Sequence, residues 1–111
     1  MVTIIRSLYE LQELELVLAE TRILHQEAPN TPDTGAVEAK IARSRAKISH
    51  EHLRRYDLLR RKHPLAVVRE RSGSCSGCNL NVPQGDLNRM RRGEMDWVCP
   101  NCARFILLAS D

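Results

Sequence analysis

The residues best suited to chemistry are four cysteines, arranged as Cys75-Ser-Gly-Cys78 and Cys99-Pro-Asn-Cys102 with twenty residues between the pairs. Each C-x2-C pair can offer two soft thiolates from one tight turn. Two such pairs make the donor set of a single tetrahedral zinc ion. With sulfur from Cys75, Cys78, Cys99 and Cys102 in all four positions, no place is left for water or substrate, so the metal is expected to be structural. Two disulfides would use the same residues. They need an oxidising compartment, and the amino terminus has no basic start, unbroken apolar stretch or small-residue cleavage site for export. A redox dithiol would need only one pair. The expectation is one structural Zn2+ in a cytoplasmic protein.

Something must hold those turns together. Leu80-Asn-Val82 reads as a short strand after the first turn. Pro83 can open a helical turn through Leu87 and Met90 that stops at Gly93. Met95–Val98 and Arg104–Leu108 read as strands into and out of the second turn. Val82, Trp97, Phe105 and Ile106 would form a small core unable to stand without its ion.

Upstream, residues 3 to about 28 contain neither Gly nor Pro and follow a helical period. Ile4, Leu11, Leu18 and His25 interleave with Ser7, Leu14, Thr21 and Ala28 in a seam for a partner helix. Leu8, Leu16, Val17, Ile23 and Leu24 fall outside that seam, so the apolar surface is wider than one helix contact requires. Self-association or a client protein is the expected cover. Pro29 ends this helix. Thr31 with Pro32, or else Thr34, caps a second helix from about 32 to 63, with Ala39, Ala42, Ala46, Ser49, Leu53 and Tyr56 as its packing face. Pro64 ends it, and Leu65–Val68 reads as a strand. Arg71-Ser-Gly-Ser74 reads as a flexible approach to Cys75. The expected fold is small α+β: an antiparallel two-helix coiled-coil hairpin over residues 1–63, then a four-cysteine zinc ribbon over 64–111.

Composition narrows the function. The chain has 111 residues, of which 42% are hydrophobic and only 4% aromatic, pointing to an elongated aliphatic body. No apolar run reaches the roughly 20 residues that span a bilayer, so no membrane insertion is expected. The net charge of +3 is segregated: −3 over residues 1–28, −2 over 29–39, +8 over 40–71 and zero over 72–111. Four thiolates on one zinc would bring the chain nearer +1, with Arg89, Arg91, Arg92 and Arg104 able to offset the local charge.

Taken together, Cys75 to Pro83 and Arg92-Gly-Glu-Met-Asp-Trp-Val-Cys-Pro-Asn-Cys-Ala-Arg-Phe-Ile-Leu107 resemble the bacterial C4-type zinc-ribbon, coiled-coil family. The resemblance is specific over about residues 65 to 108. It implies a non-enzymatic adaptor, chaperone or scaffold serving flagellar, secretion or transcription components. Two features depart from that pattern. The hairpin is shorter than usual, and Ala103 stands where the family has glycine, making a left-handed backbone costly there.

No nucleophile, general base or phosphate-cradling loop is evident, so an enzyme is not expected. Two other classes rank below protein binding. A polymerase-channel regulator would act through acidic residues at the hairpin tip, where Asp33 stands alone. Nucleic-acid binding would use the basic second helix, Arg54, Arg55, Arg60, Arg61, Lys62 and His63. Such runs usually only solvate a helix, and Glu10, Glu13, Glu15 and Glu20 are at hand to neutralise it. His50 and His52 point to different sides of a helix and are not a metal pair.

Overall fold

The computed structural model describes residues 2–27 and 34–109. Its elements are α1 (Val2–Glu27), α2 (Gly35–Ala46), α3 (His50–Lys62), β1 (Val67–Arg71), β2 (Ser74–Cys75), α4 (Gln84–Arg91) and β3 (Phe105–Leu107). This is a small α+β protein, 52 × 27 × 27 Å along its principal axes. The long axis is set by α1, whose 26 residues span about 39 Å at 1.5 Å per residue.

The helix expected over 32–63 is in fact two. Lys47 and Ile48 close tight turns onto the carbonyls of Ser44 and Arg45. Ser49 is extended at φ −63° and ψ 150°, and its hydroxyl accepts the amide of His52, which makes it the N-cap of a new helix. Ile48 just before the cap and Leu53 in the first turn both join the core, in the positions of a hydrophobic staple. The chain then doubles back. Arg45 donates to Asp57 at 2.6 Å, whereas twelve residues of continuous helix would set them about 18 Å apart. Arg22 pairs with Glu38, and Glu15 with Arg45, so α2 runs against α1. Tyr56 bonds Glu15, and α3 returns alongside α1.

The small-residue face expected for the second helix is a second correction, since Ala39, Ala42 and Ala46 are exposed. The half-buried residues of α2 are Val37, Ile41, Ser44 and Arg45, on another stripe. Alanine supports a helix but brings little apolar area to bury, so the branched side chains set the packing face. On α1 the buried stripe is likewise turned: Ile5, Leu8, Leu11 and Gln12 are buried, while Ile4, Leu14 and Leu18 are half-buried. Thr31, Pro32, Asp33 and the side chain of His25 lie outside the described residues. Thr34 precedes α2, but its hydroxyl donates to the Glu38 carboxylate and caps no backbone amide.

Downstream of Pro64 the sheet order is β2-β1-β3, with β1 antiparallel to β2 and parallel to β3. The strand expected at 65–68 begins two residues later, at Val67, and the Ala66 and Val67 amides donate to the Gln12 side chain. The supposed flexible approach is a two-residue hairpin turn. Ser72 (φ 52°) and Gly73 (φ 82°) are both left-handed, the conformation that matches strand twist in tight hairpins. The Glu70 carboxylate, itself buried, closes that turn by accepting the Gly73 amide and also accepts the Ala109 amide. Residues 80–82 and 95–98 contribute only single bridges, Ser74 to Asn81 and Val98 to Phe105. Pro83 does lead into α4, and Gly93 follows it at φ 75°.

Among the described residues, one hydrophobic core joins α1 and α3 to the sheet. Ile5, Leu8 and Leu11 of α1 and Tyr56 and Leu59 of α3 join Val67, Trp97, Phe105 and Ile106 in one cluster. The four residues expected to fill the carboxy-terminal core are all buried, and the Trp97 indole donates to the Met90 carbonyl at 2.8 Å. The cluster continues across residues 63–65, where the sequence suggests a domain boundary.

Candidate metal centre

Both cysteine turns are built alike. In the first, the Asn79 amide donates to the Cys75 carbonyl at 2.8 Å and the Cys75 amide to Leu80 at 3.0 Å. In the second, Ala103 donates to Cys99 at 2.9 Å and Cys99 to Arg104 at 2.9 Å. Each loop therefore folds over its own first cysteine and turns both sulfurs to one side. Closing it requires a left-handed residue straight after the second cysteine, and Asn79 (φ 62°) and Ala103 (φ 63°) fill that place. Asparagine tolerates the conformation, but alanine is strained by roughly 1 kcal/mol or more.

The strands bring the two turns face to face. Cys75 Sγ lies 3.7 Å from Cys102 Sγ, and Cys78 Sγ lies 3.8 Å from Cys99 Sγ. All four sulfurs lie within 4.8 Å of one another. A tetrahedron with metal–sulfur bonds near 2.3 Å has edges of about 3.8 Å, so the cage has the size of a tetrathiolate ion site. The separations are far beyond the roughly 2.05 Å of a disulfide bond, and all four thiols are free.

Local fields divide the four. Burial pushes the Cys75 thiol up and takes Cys102 up to about 12, whereas the Leu80 amide pulls Cys78 down. Buried thiols facing one another are a costly arrangement for free anions. A divalent cation removes that cost by deprotonating its ligands outright.

Arg104 ties the turns to each other and to the helices. It leaves the second turn and lies across the first, against Gly77. A Cβ on Gly77 would collide with Arg104 Nη1 and come within 3.1 Å of Val68 Cγ1. Arg104 Nη2 donates to His63 Nδ1 at 2.7 Å, at the carboxy-terminal cap of α3. Arg104 Nε is buried without a partner among the described residues. A permanent cation thus sits against the loop that carries two of the sulfurs. Its side chain was identifiable beforehand only as one of four nearby arginines, and Gly77 only as an inner residue of the C-x2-C pair.

Helix α1 is joined to this lobe by a side chain the periodicity does not single out. Gln12 is buried on the apolar stripe. Its Oε1 accepts the Ala66 and Val67 amides at 2.7 and 2.9 Å, and its Nε2 donates to the Val67 carbonyl at 2.9 Å. A further network links the helices: the buried Tyr56 hydroxyl donates to Glu15 at 2.6 Å, and Arg45 bridges Glu15 and Asp57. Burial and the Glu15 carboxylate raise the Tyr56 phenol well above its ordinary range, so it stays a donor.

The basic run is divided in use. Arg55 Nη2 reaches the Ala103 carbonyl at 3.5 Å and its guanidinium stacks over Phe105, while Arg60 donates to Pro64. Arg54, Arg61 and Lys62 are exposed. Of the four glutamates expected to neutralise them, only Glu15 has an ion pair among the described residues, and its partner is Arg45. Leu16, Val17, Ile23 and Leu24 are 36%, 46%, 57% and 50% exposed. No helix among the described residues is long and apolar enough to cross a membrane.

Fold and site together define a small α+β protein with four cysteines positioned to bind a metal near its carboxy terminus. No protein-family model matches the chain, and no curated protein matches it. Among solved structures it is similar to CT398 from Chlamydia trachomatis, with a TM-score of 0.61 and 18% identity. The likeness covers 86% of this chain and 38% of that one, and at such identity it concerns the fold alone.

Proposed function

We propose that this chain is a non-enzymatic adaptor, a helical arm joined to a zinc ribbon, that holds other proteins in the cytoplasm. In this reading Cys75, Cys78, Cys99 and Cys102 bind one structural Zn2+. The observation that carries it is the closed sulfur cage. An ion held by four thiolates has no free coordination position, so its contribution is to fold the chain. Function then falls to the surfaces that the folded chain presents. The bare apolar flank of α1 supports protein binding, since exposed apolar patches of this kind mark interaction sites.

Elemental analysis of the reduced protein tests the first half of the proposal. One zinc per chain is expected, and chelation is expected to unfold residues 74–108 with measurable loss of circular dichroism. Absence of a stoichiometric transition metal, or sulfurs bonded to one another by mass spectrometry, overturns it. Affinity purification from the native cell with zinc retained tests the second half. The expected result is a protein that reconstitutes with the purified chain in fixed stoichiometry and is released by chelation.

A further inference from the structure

Three arginines from two elements line one cavity beside the sheet. Arg6 of α1 and Arg69 and Arg71 of β1 surround a space of about 430 Å3, with residues 107–109 as its apolar wall. That size falls within the roughly 300–1,000 Å3 of small-molecule sites. Arg69 and Arg71 are two apart on a strand and so share one face. Arg69 is already fixed in place. Its guanidinium lies 5.0 Å from the centre of the Tyr9 ring, and Nη2 donates to the Tyr9 hydroxyl at 3.0 Å. Arg6 and Arg71 are exposed, and neither has an ion pair among the described residues.

The carboxylate in the cavity does not neutralise them. Glu70 is buried, with Oε2 accepting the Gly73 amide. Its Oε1 accepts the Ala109 amide and faces Arg91 at 3.7 Å, so both oxygens are committed elsewhere. Glu13 lines the adjoining cavity with Arg69 and Arg71, yet forms no ion pair with either among the described residues. Three positive groups against this one negative group still leave a local charge of +2. Like charges gathered this way repel one another, and a bound anion relieves that cost.

We infer that this cavity is a binding site for a small phosphomonoester. Planar guanidiniums present paired donors that match phosphate oxygens, and such an ester carries close to two negative charges at neutral pH. A dianion answers the local excess better than the single charge of a carboxylate. Because Tyr9 holds Arg69, that donor is oriented before the ligand arrives, which lowers the ordering cost of binding. Arg6 and Arg71 supply the remaining donors from helix and strand. The cavity has room beyond the phosphate group, so the organic part of the ester rests on the wall at 107–109. The site lies apart from the sulfur cage and does not rest on the adaptor reading.

The test titrates phenyl phosphate into the full reduced chain by calorimetry, in phosphate-free buffer at about pH 7.5, where the ester is a dianion. It is expected to bind at least about ten-fold tighter than either benzoate or inorganic phosphate. Binding should weaken between about 50 and about 300 mM NaCl. Arg6→Gln and Arg71→Gln should each weaken it at least about five-fold, and Glu13→Gln should tighten it about two-fold. All three positions are exposed, so these variants keep the fold, as circular dichroism will verify. Equal binding of phenyl phosphate and benzoate, or binding unchanged by Arg6→Gln and Arg71→Gln, overturns the assignment. Inorganic phosphate binding as tightly as the ester overturns the role of the apolar wall and with it the small-molecule site. Tighter binding of a phosphotyrosine peptide than of phenyl phosphate overturns it too, in favour of a modified partner protein. Asp111 lies two residues beyond Ala109 in the sequence. Binding that appears only in Asp111→Asn shows the arginines already served by the chain itself and likewise refutes the site.

Discussion

Replacing Gln12 with methionine isolates the bond set that joins α1 to β1. Methionine matches the length and flexibility of glutamine, so the volume of the site is kept and the cavity cost is small. What is lost are three hydrogen bonds, at 2.7, 2.9 and 2.9 Å. Ala66 and Val67 are essentially inaccessible to water, so their two amides and one carbonyl would be left unpaired. Each stranded buried group costs about 1–3 kcal/mol, and partial relaxation brings the total to roughly 3–4 kcal/mol. That is a large fraction of the roughly 5–15 kcal/mol that typically stabilises a domain. Urea unfolding of the zinc-loaded protein should show a lower midpoint, with amide exchange at Ala66 and Val67 accelerated first. A loss below about 1 kcal/mol, or unchanged protection of those two amides, would refute the view that this side chain fastens helix to sheet.

Three further outcomes follow from the geometry. Ala103→Gly relieves the left-handed strain of the second cysteine turn and should raise stability by about 0.5–1 kcal/mol after the added flexibility of the unfolded chain is counted, as read by thermal melting. Gly77→Ala forces the Arg104 guanidinium off the first turn and away from His63, so a chelator competition should show zinc affinity reduced about ten-fold. Tyr56→Phe removes one donor to the Glu15 carboxylate and should cost about 1.5–2 kcal/mol in denaturant unfolding, without altering zinc stoichiometry.

Spacing made the cysteine cluster legible: two equal pairs of cysteines carry much of their geometry with them, and the four sulfurs do come within 4.8 Å of one another. The breaks at Pro64 and Gly93 were visible for a similar reason, because proline and glycine act on the backbone locally. The doubling back of the second helix was harder to see. Ser49 sits inside an unbroken helical pattern, and its capping role shows only when Ile48 and Leu53 are read as the flanking apolar pair. The alanine face misled because regular spacing of small residues says nothing about which stripe buries more area. Gln12 and Arg104 act through partners more than 40 residues away in sequence, and no local pattern encodes such contacts.

Because Ile5, Leu8 and Tyr56 share one core with Phe105 and Ile106, the cost of losing the proposed ion would not stop at the cysteine lobe. In the proposed zinc form, mass action would govern the entire chain: free zinc at about a hundred times its dissociation constant would add roughly 2.7 kcal/mol to folding. Cellular zinc supply would thereby set how much of the helical arm stands ready, making metal abundance a control on the amount of working protein.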